Sequence, residues 1–161
     1  MKKEDKGCCP KFSPNNWDKK TFKWKNKPFI KDSMPTLFHI PFPPMIGKKI
    51  TSMYKLAKGA KADPPKKEWL VLFHDPHPFK SELYMSVKKP IKEANNAAIS
   101  GTFFSRVFDG PYNAVPKFIR EMNDSLSKKG KKADKYYVHY AYCPVCSKKF
   151  GHNYMVLFAG V

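Results

Sequence analysis

Two amphipathic stretches, each introduced by proline and closed by Lys-Gly, recur at matching distances from a later β-forming run, and this repeat restricts the fold more than any other feature. In the second stretch Val115, Phe118, Ile119, Met122 and Leu126 fall at i, i+3, i+4, i+7 and i+11, the spacing of a helix with one buried face. Gly130 after Lys128 and Lys129 offers a left-handed stop, with cations at the negative helix end. The first stretch, from about Pro44 to Lys58, builds its stripe from Ile46, Ile50, Met53, Tyr54 and Ala57, and Gly59 is its predicted stop.

Each helix is followed by a lysine-rich turn and a run that ends in proline, EWLVLFHDP at 68–76 and YYVHYAYCP at 136–144. Pro44 to Pro76 spans 32 residues and Pro111 to Pro144 spans 33, so the second half repeats the first at a shift of about 67. One more strand closes each half, ELYMSV at 82–87 and NYMVLFAGV at 153–161, and one precedes each helix, PTLFHIPF at 35–42 and ISGTFFSRVF at 99–108. The expected fold class is therefore α+β: tandem duplicated β-α-β-β modules, an antiparallel sheet with helices on one side, and a central cleft between the copies. At 161 residues and 42% hydrophobic the chain is expected to form a single domain, with pseudo-repeats at about 20–91 and 95–161 and an N-terminal arm at 1–19.

The charged opening MKKEDKG leads into no apolar h-region, and no run of eighteen apolar residues occurs, so the expected location is the cytoplasm, with no membrane partner. A net charge of +18 suggests a polyanion partner, yet of 31 basic residues only Arg106 and Arg120 are arginines, the type that reads phosphates and bases with a bidentate fork. The lysines are spread along the chain in pairs. A solvated lysine-rich surface is the favoured reading over a nucleic-acid-binding module, which stays as an alternative.

The segment ISGTFFSRVFDGPYNAVPKFIREM resembles the second-half signature of GyrI-like small-molecule-binding domains, in which a strand runs through a Gly-Pro-Tyr turn into a helix. The opening CCPKFSPNNWDKKTFKWKNKPF and the close YYVHYAYCPVCSKKFGHNYMVLFAGV, with their CCPKF and CPVC motifs, resemble more narrowly a set of short bacterial proteins labelled hydrolases. The resemblance implies a duplicated β-α-β-β fold and an aromatic-lined pocket for apolar, often cationic, small molecules. It also implies, for some relatives, hydrolysis of strained cyclopropane-containing toxins. Many relatives carry a pocket carboxylate two positions before a tyrosine that matches Tyr140, whereas this sequence has Val138 there.

The residues themselves offer candidates for such a pocket. Tyr136, Val138, Tyr140 and Tyr142 alternate with Tyr137, His139 and Ala141, so one set faces a core and the other a second environment. Trp17, Trp24, Trp69, Tyr84, Phe104, Tyr112 and Tyr140 are the candidate ligand-binding rings. For hydrolysis, a carboxylate among Glu82, Glu121 and Asp109, its pKa raised by desolvation, would act as general base on water. Tyr140 would stabilise the developing oxyanion, so Glu82, Glu121 and Tyr140 are the catalytic candidates. No Gly-x-Ser-x-Gly elbow or phosphate-cradling loop is present, which disfavours acyl and phosphoryl transfer.

Cys143-Pro144-Val145-Cys146 has the spacing of half a zinc knuckle, and Cys8, Cys9, His74, His77 or His152 could complete it. Structural zinc, inert thiols and a redox pair all remain open; the redox reading lacks the helix start that lowers a thiol pKa, because the pair is predicted to sit between two strands. The sequence thus points to a binder of an apolar or cationic small molecule, with hydrolysis of a reactive electrophile left open, no required cofactor, and structural zinc as an option. The alternatives are a zinc- or thiol-dependent regulator using Cys143 and Cys146, or a nucleic-acid-binding module.

Overall fold

The computed structural model describes residues 12–37, 40–41, 43–65, 68–77, 79–111, 114–142 and 144–161, with side chains omitted at 40–41, 43–44, 76–77 and 144–146. In chain order the elements are a 3-10 turn at Pro14–Asn16, β1 Lys20–Leu37, β2 Ile40–Pro41, α1 Pro43–Gly59, β3 Val71–His77, β4 Lys80–Ser86, β5 Asn96–Asp109, α2 Val115–Lys128, β6 Tyr136–Tyr140, α3 Pro144–Phe150 and β7 Tyr154–Gly160. They form two compact units. The central unit is Trp24–Ser100, and the terminal unit combines Met1–Lys23 with Gly101–Val161.

In the central unit β4 is flanked by β1 and β3, all antiparallel, with Ile30 opposite Met85 and Val71 also opposite Met85. Alternate residues of these strands point to α1. Ile30, Met34, Val71, Leu83 and Met85 join Met53 and Ala57 of the helix in one buried cluster, with Ile46 and Ile50 packed against it. That stripe is the one the sequence spacing calls for except at Tyr54, which is exposed and meets Trp69 instead, and each fully buried aliphatic side chain contributes about 1.5–3 kcal/mol.

The terminal unit runs strand, helix, strand, short helix, strand, so α3 intervenes where the central unit passes from β3 straight to β4. Here β7 lies between β5 and β6, again antiparallel, with Phe108 and Tyr140 both opposite Met155. Phe118, Met122 and Leu126 of α2 pack on Phe108, Val138, Met155, Leu157 and Ala159. The helix stops as expected: Gly130 takes φ of 69°, and the Lys131 amide reaches back to the Leu126 carbonyl at 2.8 Å.

Four local expectations change. The strand anticipated at 35–42 is not one strand: β1 runs through Leu37 and pairs with the short β2, Thr36 opposite Pro41. Most of β1 was unforeseen, because its lysines, Asn26 and Pro28 hide the alternation of Phe22 and Trp24, and Asn26 sits at φ of 49°. At the end of α1 the left-handed residue is Lys61, φ of 55°, not Gly59, which remains helical. Last, the residues after Cys143 are helical: α3 opens at Pro144, so the C-x-x-C pair does not join strand directly to strand. Among the described residues no helix is long and apolar enough to cross a membrane.

Candidate functional site

The two faces of a strand diverge at every step, so the residues that feed the α1 core fix which neighbours face away from it. In β4, Leu83 and Met85 are fully buried under α1, which sends Glu82 and Tyr84 to the opposite face. In β1, Ile30 and Met34 serve the core and Asp32 meets Lys49 of α1 at 3.2 Å, which leaves Phe29, Lys31 and Ser33 on the face of Glu82 and Tyr84. The ladders then set two rows across three strands: Lys31, Tyr84, Leu72 and, beside it, Ser33, Glu82, His74.

These neighbours interact. The Tyr84 hydroxyl donates to Glu82 Oε1 at 3.0 Å, and the Lys31 ammonium lies 3.2 Å from Oε2. The same ammonium stands 5.5 Å from the centroid of the Tyr84 ring. Phe29 meets Tyr84 edge-on at 6.3 Å, and Trp24 continues the ring wall at 6.1 Å from Phe29. Lys27 lies 5.8 Å from the Trp24 ring. Burial acts most strongly on the Glu82 carboxyl and pushes its pKa up, but the hydrogen bonds from Lys31 and Tyr84 and the charges of Lys31 and His74 together outweigh it and hold the carboxyl below its ordinary value. The expected upward shift is thereby reversed: Glu82 is a carboxylate throughout the neutral range.

The remaining candidates fall elsewhere. Tyr140 and Phe104 both pack against the α2 core, with Lys129 lying 4.3 Å from the Phe104 ring. Trp69 packs on the α1 side, edge-on to Tyr54 at 5.4 Å. Glu121 is exposed on α2, in a shallow open depression of about 500 Å³ lined by Lys117, Arg120, Glu121, Asn123 and Asp124, which offers no apolar wall. Asp109 pairs with His152 Nδ1 at 2.8 Å and accepts the Asn153 amide; both side chains are roughly half exposed. Burial is the largest influence on Asp109 and raises its pKa, but the His152 and Asn153 contacts outweigh it and the net direction is down. Of the sequence-stated rings, Trp24 and Tyr84 thus share one face with Glu82, whereas Trp69, Phe104 and Tyr140 do not lie on that face.

In the terminal unit the face turned from α2 is mostly rings. Trp17 packs against Phe158, Phe22 and His139, and Phe103 lies 5.9 Å from Tyr137. Ser105, fully buried, donates its hydroxyl to the Trp17 carbonyl. Tyr142 accepts the Phe12 amide at 2.9 Å and stacks on Phe150.

Tyr112, Cys8, Cys9 and Cys143, expected as a ligand-binding ring and as metal ligands, lie outside the described residues, as do the side chains of Cys146 and His77. Among the described residues there is no group of three or more His, Cys, Asp or Glu placed to hold a metal ion. Lys31 and His74 as partners of Glu82, and Phe29 as the ring against Tyr84, were missed; the E-L-Y alternation at 82–84 and the F-I-K alternation at 29–31 were the available signals, but pairing across strands is not written in either segment alone.

Residues 1–161 match the model of a family described as bacterial hydrolase. No curated protein matches the chain in sequence. Among solved structures, the C-terminal domain of EcmrR is 13% identical over 88% of this chain and 93% of its own, with a TM-score of 0.63. A hydrolase from Listeria innocua is 11% identical over 99% of this chain and 98% of its own, with a TM-score of 0.62. EcmrR in a complex with DNA gives 0.63 at 11% identity, over 88% of this chain and 55% of that one. At such identities the likeness speaks for the fold, and it is consistent with the GyrI-like architecture expected from the sequence.

Proposed function

Because this chain belongs to the bacterial hydrolase family, we propose that the central unit binds a small, largely apolar molecule against the half-buried Trp24 ring and the outer edge of Tyr84, with Phe29 fully buried behind them, and hydrolyses it with Glu82 as the base. The observation that carries the reading is the contact of Glu82 with a phenol at 3.0 Å and an ammonium at 3.2 Å beside that ring wall.

The chemistry follows from the groups present. Water adds to an electrophilic carbon of the bound molecule, and Glu82 takes the water proton as the new C–O bond forms. The electron pair of the breaking bond moves to the leaving atom, where the Lys31 ammonium and the Tyr84 hydroxyl are the nearest donors to meet the developing charge. A carboxylate already ionised at neutral pH is a weaker base than one raised toward 7, so the scheme favours activated or strained electrophiles over stable amides. Rings on one side and three polar groups on the other are the usual make-up of a small-molecule site.

Glu82→Gln and Tyr84→Phe test it together. In a screen of neutral esters, epoxides and activated cyclopropanes, Glu82→Gln is expected to lower turnover by about 10²–10⁴-fold, and Tyr84→Phe by less. Full turnover in Glu82→Gln, with substrate hydrolysed by the wild type, sinks the reading.

A further inference from the structure

We propose that Lys31 determines specificity at this face: its own ammonium fills the cation subsite formed by the Glu82 carboxylate and the Tyr84 ring, so the site accepts neutral molecules and turns cations away. The inference rests on the binding reading above.

A carboxylate beside an aromatic face is what an organic cation seeks, because the anion supplies Coulomb attraction and the ring quadrupole adds to it. Both elements are here, and both are already used by the chain. Lys31 Nζ is 3.2 Å from Glu82 Oε2 and 5.5 Å from the Tyr84 centroid, while the other carboxylate oxygen is taken by the Tyr84 hydroxyl at 3.0 Å. The occupation is built into the sheet. Lys31 stands directly across from Tyr84 in the β1–β4 ladder, so its stem reaches over the ring from the adjoining strand. The Glu82 side chain is only 15% exposed, which leaves little water to screen a second cation from the first.

Trp24 follows the same pattern, with Lys27 at 5.8 Å from its ring. Among the described residues the titratable groups facing Glu82 are Lys31 from β1, His74 from β3 and Tyr84 from β4, and the Lys31 ammonium already holds the place a positive ligand would take. What a ligand can reach is the half-buried Trp24 ring, the edge of Tyr84 and the outer hydrogens of the Lys31 ammonium, since Phe29 is fully buried and the Tyr84 hydroxyl hydrogen is given to Glu82; that suits an uncharged molecule whose leaving atom becomes negative.

Acridine, uncharged at pH 8, and N-methylacridinium share one ring skeleton and differ in charge, and both report binding to the full chain by fluorescence. The wild type is expected to bind acridine and to bind N-methylacridinium about tenfold more weakly. Lys31→Met frees Glu82 and Tyr84 and should shift that ratio about tenfold or more toward the cation, and adding Glu82→Gln should remove the gain. Lys31→Gln keeps a hydrogen-bonding partner for the carboxylate and must shift the ratio the same way, should the methionine variant fold poorly. If the wild type binds neither probe, the binding reading falls and the inference with it. If acridine binds but the ratio is indifferent to both Lys31 variants, or the wild type prefers the cation, the inference alone is overturned.

Discussion

The sheet faces turned away from the helices differ between the two units in what they carry. The central unit presents Glu82, Lys31 and His74 among Trp24, Phe29 and Tyr84, whereas the terminal unit presents Trp17, Phe22, Phe103, Tyr137 and Phe158 with His139 and the backbone-bonded Ser105. Each unit packs one long helix on an antiparallel three-strand layer, yet the opposite faces differ in polarity. The difference teaches that a shared backbone plan fixes where side chains point but not what they are, so chemistry can be concentrated in one unit without disturbing the other's core.

The helix-side cores offer the largest effect by which to challenge this pairing. Leu83 and Leu157 are each fully buried in corresponding clusters, one under α1 and one under α2. Leu83→Ala and Leu157→Ala are each expected to cost about 2–5 kcal/mol in denaturant unfolding. A cost near zero for either would show that its helix does not seal that sheet.

Glycines give a sharper contrast of smaller size. A Cβ at Gly110 would stand 2.9 Å from Phe118 Cζ, so Gly110→Ala should destabilise by about 1–3 kcal/mol. Gly47, exposed in α1, has open space around it, and Gly47→Ala should stabilise by about 0.5–1 kcal/mol. Equal signs for the two, read by thermal unfolding, would contradict the packing described.

Acid gives the smallest effect. Glu82 and Asp109, one in each unit, are held below their ordinary values of 4.5 and 3.8. A carboxyl whose pKa is lower folded than unfolded adds stability that is present above the unfolded value and is lost as pH falls through the folded one. Unfolding free energy should therefore drop below about pH 4.5, more through the well-covered Glu82 than through half-exposed Asp109. Glu82→Gln should flatten that slope more than Asp109→Asn does, and the reverse order would mean that Lys31 and Tyr84 do not hold Glu82 in solution.

How far the sequence could be read follows from the range of each signal. The two long helices were legible because apolar residues such as Phe118, Met122 and Leu126 repeat at helical spacing within one segment, and β3 and β7 because β-forming residues cluster at 71–73 and 154–159. Glu82 was legible as an acid at the start of an expected strand, and Tyr84 as a ring within that strand. Lys31 was not, because a lysine in a lysine-rich chain carries no mark until a neighbouring strand sets it across from a tyrosine. For Tyr140 the sequence left the face open: alternation separates the two sides of β6 but does not say which of them α2 covers, and Tyr140 packs on the α2 side.

By itself the sequence determined the local elements, the buried stripes of α1 and α2, and the supply of rings and acids from which a site could be made, since periodicity and turn chemistry act over a few residues. Only the tertiary structure decided which strands became neighbours, and with that the meeting of Glu82, Tyr84 and Lys31 and the downward direction of the Glu82 pKa. Contact energies and pKa values depend on distances between residues far apart in the chain, and those distances exist only once the strands have paired.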